Sequence, residues 1–186
     1  MLAHAPRQLG SWLTWDVRQN KMTDHPIALP EFEFPAPTDR SDEKLLHDVR
    51  NHGWHVVAIA EDEVGPGFAF TIGLYLRTKQ PEILIMGVPP EPSTRVLNSV
   101  GDYLMQGGRL ESGKRYPGFV DRCDVIFRPV AKQYFHDYLG CARWFYRPLN
   151  DGFPVLQCLW PDLEVAFPFE NGFAEKLRSK QIDLSA

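Results

Sequence analysis

Two aromatic-rich segments hold the side chains of this chain that could do chemistry. One is His52-Gly53-Trp54-His55, followed by Phe68-Ala69-Phe70-Thr71-Ile72-Gly73-Leu74. The other is Gln157-Cys158-Leu159-Trp160-Pro161-Asp162. Each runs a strand-like apolar stretch into glycine or proline beside a group that hydrogen-bonds or ionises. Strand ends hold such groups rigidly while the adjoining loops leave room for a ligand. Glu82 stands directly before the apolar run Ile83-Leu84-Ile85-Met86, and Asp162 directly after Trp160-Pro161. A carboxyl group in a partly apolar rim can have a raised pKa and act as acid or base. The candidate ligand-binding residues are therefore His52, His55, Thr71, Gly73, Glu82, Gln157 and Asp162. Thr71, Gly73, Gln157 and Asp162 are expected near one another at one sheet end. The plainer alternative is local: Asp162 organises a turn, and Glu82 caps its strand or pairs with Arg77 or Lys79.

Standard constellations each lack a partner. A zinc site needs three or four convergent ligands at about 2.0–2.3 Å. His52 and His55 are three apart, but a helix-to-strand change is expected between them, so no metal is assigned. The candidate nucleophiles Thr71, Cys123 and Cys158 lie in no Gly-x-Ser-x-Gly elbow. A Cys158 pair with His52 or His55 remains open, because catalytic partners meet in space. Gly65-Pro66-Gly67 has neither the Gly-x-Gly-x-x-Gly spacing nor a Walker lysine. No cofactor is assigned, and no catalytic residue.

The composition narrows the class. A length of 186 residues suits one domain, and 44% apolar with 12% aromatic residues is ample for one core. A net charge of −4 argues against a nucleic-acid partner, which wants a basic face. Lys114, Arg115, Arg122 and Arg128 cluster in sequence, and a solvated hairpin face explains them. The three cysteines, Cys123, Cys141 and Cys158, are well separated and suit a reduced cytoplasmic protein. No apolar run approaches the roughly 20 residues that span a bilayer, and no signal peptide is evident.

The elements that must position the candidates follow from pattern and punctuation. Residues 1–40 read as an extended arm, interrupted by Pro26, Pro30, Pro35 and Pro37. Trp12 and Trp15 suit one short amphipathic turn, and Met22 is an alternative start. A second copy of the chain is a candidate partner for the arm. The folded domain is 41–175, with a tail over 176–186. Ser41 is the expected N-cap of a helix ending at Gly53. Strands are expected over 54–60, 68–74, 82–88, 123–130, 154–160 and 165–169. Helices are expected from Ser93 to Gly107 and over 131–146, with a loop or loose hairpin at 109–118. The predicted fold class is α+β: a mainly antiparallel β-sheet with two to three helices packed on one side.

At His52-Gly53-Trp54, Phe70-Thr71-Ile72-Gly73-Leu74, Pro81-Glu82-Ile83 and Gln157 through Trp160-Pro161-Asp162, the chain resembles a bacterial family catalogued as domain of unknown function 4262. The resemblance covers about residues 41–173. It implies a bacterial cytoplasmic protein with a compact α+β domain, and carries over no activity, cofactor or catalytic residue. A fainter similarity to suppressor-of-fused-like and immunity-type domains rests on a hairpin, a strand ending in Pro-Pro and an amphipathic helix. The expected function is a non-catalytic domain binding a protein or a small ligand. The alternative is a small hydrolase or transferase using polar residues gathered at one end of the sheet.

Overall fold

A short carboxylate begins the first helix of the domain. Asp39 accepts from the Ser41 and Asp42 amides at 2.8 and 2.9 Å. It therefore caps the first helix, α1 (Arg40–His52), in place of the expected Ser41. Asp42, inside the first turn, accepts from the Thr38 amide and hydroxyl. The computed structural model describes residues 27–185. The expectations for Trp12, Trp15 and Met22 lie outside the described residues.

Among the described residues six strands follow: β1 (His55–Ile59), β2 (Phe68–Ile72), β3 (Glu82–Met86), β4 (Arg115–Val120), β5 (Cys123–Pro129) and β6 (Val155–Leu159). They form one sheet in the order β1-β2-β3-β6-β5-β4. Only β3 and β6 run parallel; the other neighbours are antiparallel. The fold is α+β with a mainly antiparallel sheet and helices packed on it.

Strand alternation sorts the core into two faces. Phe70, Ile72, Leu84, Met86 and Val155 face α1 and two short helices, α4 (Phe135–Tyr138) and α5 (Gly140–Phe145). Ala69, Ile83, Ile85, Leu156 and Cys158 face a longer helix, α3 (Pro90–Met105), through Val96, Leu97, Val100 and Leu104. Helices thus cover both faces rather than one. The described part of the arm, 27–39, contains no helix or strand. Leu29, Phe32 and Phe34 pack on the first face, and the Ala28 amide donates to the Leu76 carbonyl at 2.8 Å.

Three local expectations are corrected and a fourth is met in one of its two forms. The strand from Phe68 stops at Ile72, because Gly73 turns the chain at φ 114° into a short helix, α2 (Leu74–Thr78). The helix expected over 131–146 is broken: Leu139, at φ −124° and ψ 30°, bends the chain between α4 and α5. That bend lets Phe135, Leu139, Ala142 and Phe145 all reach the core. Of the loop or loose hairpin expected over 109–118, the hairpin is found: Arg115 begins strand β4, paired antiparallel with β5, and the register shifts between Tyr116 and Val120. Residues 165–169 form turns, not a strand, with Val165 at φ 65° and Pro168 lacking an N–H. A final short helix, α6 (Glu175–Arg178), precedes a segment whose Leu184 carbonyl accepts from the Ala131 amide at 2.7 Å.

Candidate functional site

The polar residues expected at one place lie in three. The first is a buried knot at the start of β3. Beyond Phe70 and Leu84 the β2–β3 ladder ends, and the Thr71 side chain takes it over. Its hydroxyl accepts from the Ile83 amide at 2.9 Å and donates to Glu82 Oε2 at 2.6 Å. Glu82 Oε1 accepts from the Gly73 amide at 2.8 Å, the Tyr75 amide at 3.0 Å and the Tyr146 hydroxyl at 2.5 Å. The Tyr146 oxygen in turn accepts from the Gly73 and Leu76 amides. Thr71, Glu82 and Tyr146 are all 0% exposed, so this knot offers no surface to a ligand. Burial pushes the Glu82 carboxyl above its usual range, although its four donors pull the other way. Burial and the neighbouring carboxylate push the Tyr146 phenol well above 10. Arg77 serves elsewhere, donating to the Val49 carbonyl at 2.8 Å at the end of α1.

The second place is the other end of the sheet. Since β3 and β6 are parallel and Glu82 pairs with Val155, Asp162 beyond the end of β6 is remote from Glu82. The expected convergence of Thr71 and Gly73 with Gln157 and Asp162 is therefore corrected by topology. Gln157, buried in mid-strand, donates to the Ile182 carbonyl at 2.7 Å and accepts from the Leu184 amide at 2.8 Å. Gln181 makes a reciprocal pair with the Trp160 backbone, both bonds 2.9 Å, and the Trp160 indole donates to the Met86 carbonyl at 2.9 Å. Asp162 Oδ1 gathers the Glu164 and Ala166 amides, while Oδ2 takes the Ala174 amide at 2.8 Å. Burial raises this carboxyl, but the three amides outweigh it and hold it below the usual range.

These bonds brace one wall of an open groove of about 780 Å³. The β4–β5 hairpin forms the other wall, with Arg115, Asp121, Arg122 and Asp124 on it. At the lip, Leu163 is 95% exposed and Val165 57% exposed. Asp162→Asn is expected to lower the melting temperature by roughly 3–6 °C. One oxygen becomes an NH2 group facing an amide donor, and the loop loosens. An unchanged melting temperature, with unchanged protease resistance of 163–173, would show that the loop holds without the carboxylate.

The third place is a cleft of about 290 Å³ between α1 and α3, lined by Lys44, Asp48, His52, Trp54, His55, Val56, Thr94 and Asn98. His55 pairs with Ile72 across the ladder, at the same sheet end as Glu82. Its ring nevertheless turns to α1: His55 Nδ1 lies 2.8 Å from Asp48 Oδ2. His52 is exposed at the helix end, 6.4 Å ring to ring from His47. Trp54 donates its indole N–H to Asn98 Oδ1 at 3.1 Å. Among the described residues no group of three or more His, Cys, Asp or Glu side chains is placed to hold a metal ion.

Tyr146, Asp48, Asn98, Leu163 and Val165 were not picked out by sequence. Tyr146 meets Glu82 across 64 positions and Asn98 meets Trp54 across 44, so no local spacing signals either. Asp48 sits seven positions before His55, where a turn of unknown angle hides the contact. Residues 48–174 match the model of a family described as domain of unknown function (DUF4262). No curated protein and no solved structure matches the chain.

Proposed function

We propose that this chain, which belongs to the domain of unknown function 4262 family, works by binding a partner or ligand in the groove between the β4–β5 hairpin and the turn after Trp160. The supporting observation is the lip. A leucine that is 95% exposed stands next but one to a valine held at φ 65°. A β-branched residue in the left-handed region is strained, and such strain collects at binding sites. The turn is not loose enough to relax it, because Asp162 and Gln181 tie it down. A fixed apolar lip facing arginines and aspartates suits an amphipathic occupant, either a protein segment or a small molecule.

By contrast, the polar residues at the Glu82 end satisfy one another inside the fold. They support the hydrolase alternative less, because no substrate reaches them. Cys123, Cys141 and Cys158 are all free, which supports a reducing compartment, and the proposal places the protein in the bacterial cytoplasm. Among the described residues no helix is long and apolar enough to cross a membrane.

Native mass spectrometry of the protein purified from its own host tests the reading, with Leu163→Asp as its pair. The wild type is expected to carry a bound mass that the variant has lost. The melting temperature should not change, because Leu163 has almost nothing to pack against. A bound mass retained by Leu163→Asp, or none in either protein, removes the groove as the site.

A further inference from the structure

The cleft between α1 and α3 holds a histidine–aspartate pair, His55 with Asp48, for which the sequence alone offered no partner. Asp48 receives three bonds: Lys44 Nζ at 2.6 Å and His55 Nδ1 at 2.8 Å on Oδ2, and His47 Nδ1 at 3.4 Å on Oδ1. Burial alone would raise this carboxyl, but those bonds outweigh it and hold it at about 2. It is therefore ionised and accepts only, so the proton between Asp48 and His55 sits on Nδ1. With Nδ1 as donor, Nε2 of the neutral ring carries the lone pair. No other hydrogen bond reaches the His55 ring among the described residues, and its side chain keeps 16% exposure at the cleft. Burial lowers the imidazole pKa below 6.5 against the pull of Asp48, which keeps the ring neutral at pH 7.

Asn98 completes the set. Its Oδ1 is taken by the Trp54 indole at 3.1 Å, and the residue lines the same cleft, so its Nδ2 amino group is assigned as the donor. Thr94, the sole hydroxyl among the described residues that line the cleft, is engaged with the Pro90 carbonyl at 2.8 Å. The nucleophile is then water.

We propose that Asp48 and His55 form a general-base dyad that hydrolyses small acyl esters in this cleft, with Asn98 as the oxyanion donor. Nε2 of His55 takes a proton from water as the water oxygen bonds to the ester carbonyl carbon. The C=O π pair moves onto the carbonyl oxygen, which accepts from Asn98 Nδ2. Asp48 balances the imidazolium. Collapse re-forms the C=O bond, breaks the bond to the alcohol oxygen, and His55 returns its proton to that oxygen. The products are a carboxylic acid and an alcohol, and no other reactant is needed. This site is independent of the groove beside Trp160.

The test is 4-nitrophenyl acetate hydrolysis by the full chain and by the His55→Gln, Asp48→Asn, Asn98→Ala and His136→Gln variants. Saturable turnover is expected, with kcat/KM rising below pH 6.5 and flat above it as His55 loses its proton. Among the described residues, the ionisable groups at the cleft are Lys44, Asp48 and His52, with His47 bonded to Asp48, all from α1; α3 contributes neutral Thr94 and Asn98. His55→Gln should lower kcat/KM at least about 100-fold, since a positioned base contributes on that scale. Asp48→Asn should lower it at least about tenfold, because the ring loses its oriented tautomer, and Asn98→Ala should lower kcat about 100-fold with KM unchanged. His136→Gln, at an imidazole outside the cleft whose side chain is 86% exposed, should change nothing. Non-saturating release that falls equally with any histidine replaced is adventitious surface imidazole chemistry and overturns the proposal. If His55→Gln or Asp48→Asn fails to fold, the exposed Asn98 decides: an unchanged kcat in Asn98→Ala overturns the proposal as well.

Discussion

Replacing Glu82 with alanine is expected to lower the unfolding free energy by roughly 3–5 kcal/mol. The substitution removes the acceptor of four donors at once: the Thr71 and Tyr146 hydroxyls and the Gly73 and Tyr75 amides. Each buried donor left without a partner costs about 1–3 kcal/mol. Against that stands the relief of a desolvated carboxylate, which is worth several kcal/mol and keeps the net below the gross sum. Tyr146→Phe strips one donor from Glu82 and one acceptor from the Gly73 and Leu76 amides, so its loss should be about half as large. Urea midpoints of the two variants measure both. A Glu82→Ala midpoint equal to wild type would mean that water fills the space and satisfies all four donors.

The same knot has a pH signature. Burial lifts the folded pKa of Glu82 above its usual 4.5. A group raised on folding stabilises fully below its unfolded pKa, and that contribution is lost as pH rises through the folded value. Relative to Glu82→Gln, the wild type should therefore lose stability as pH rises from 4.5, whereas the neutral amide shows no such slope.

Much of the frame was legible because its signals are local. The runs 68–72, 82–86 and 155–159 are apolar, short and bounded by glycine or proline, and all three are strands. Pro89-Pro90 ends β3 and starts α3, whose apolar stripe from Val96 to Leu104 has helical period. What failed is what tertiary contact decides. The stripe over 131–146 looks continuous, yet the chain bends at Leu139 so that both halves reach the sheet. Val165 to Phe169 reads as a strand until Asp162 gathers the Glu164 and Ala166 amides into a turn. The candidate site was legible as residue types and not as a place. Thr71, Gly73 and Glu82 do meet, but inside the protein, whereas Asp162 lies past the far end of β6. The direction of β6 relative to β3 decides that, and no residue pattern reports it.

Gly73→Ala is expected to cost a further roughly 3–5 kcal/mol, from two separable causes. Gly73 sits at φ 114°, which an L side chain adopts only under strain. Its added Cβ would also lie 2.7 Å from the Gly53 carbonyl oxygen and 3.0 Å from Val49 Cγ1. The first obstacle is backbone and cannot swing away. Gly107 isolates the backbone part: it has φ 88° with no atom within 4 Å of an added Cβ. Gly107→Ala should thus cost only about 1 kcal/mol, and the difference between the two variants measures the close approach. The position matters beyond stability because Gly53 belongs to the turn between Asp48 and His55. Moving the Gly53 carbonyl aside would shift the Asp48–His55 pair on one side of Gly73 and pull its amide from Glu82 on the other. The His52-Gly53-Trp54-His55 turn and the Thr71-Ile72-Gly73 step are thus held back to back, joining the buried knot to the exposed cleft. If the proposed Asp48–His55 dyad works as inferred, Gly73→Ala should reduce its hydrolysis of 4-nitrophenyl acetate as well as stability. If it unfolds no more easily than Gly107→Ala, the turn yields freely and the two regions are not mechanically joined.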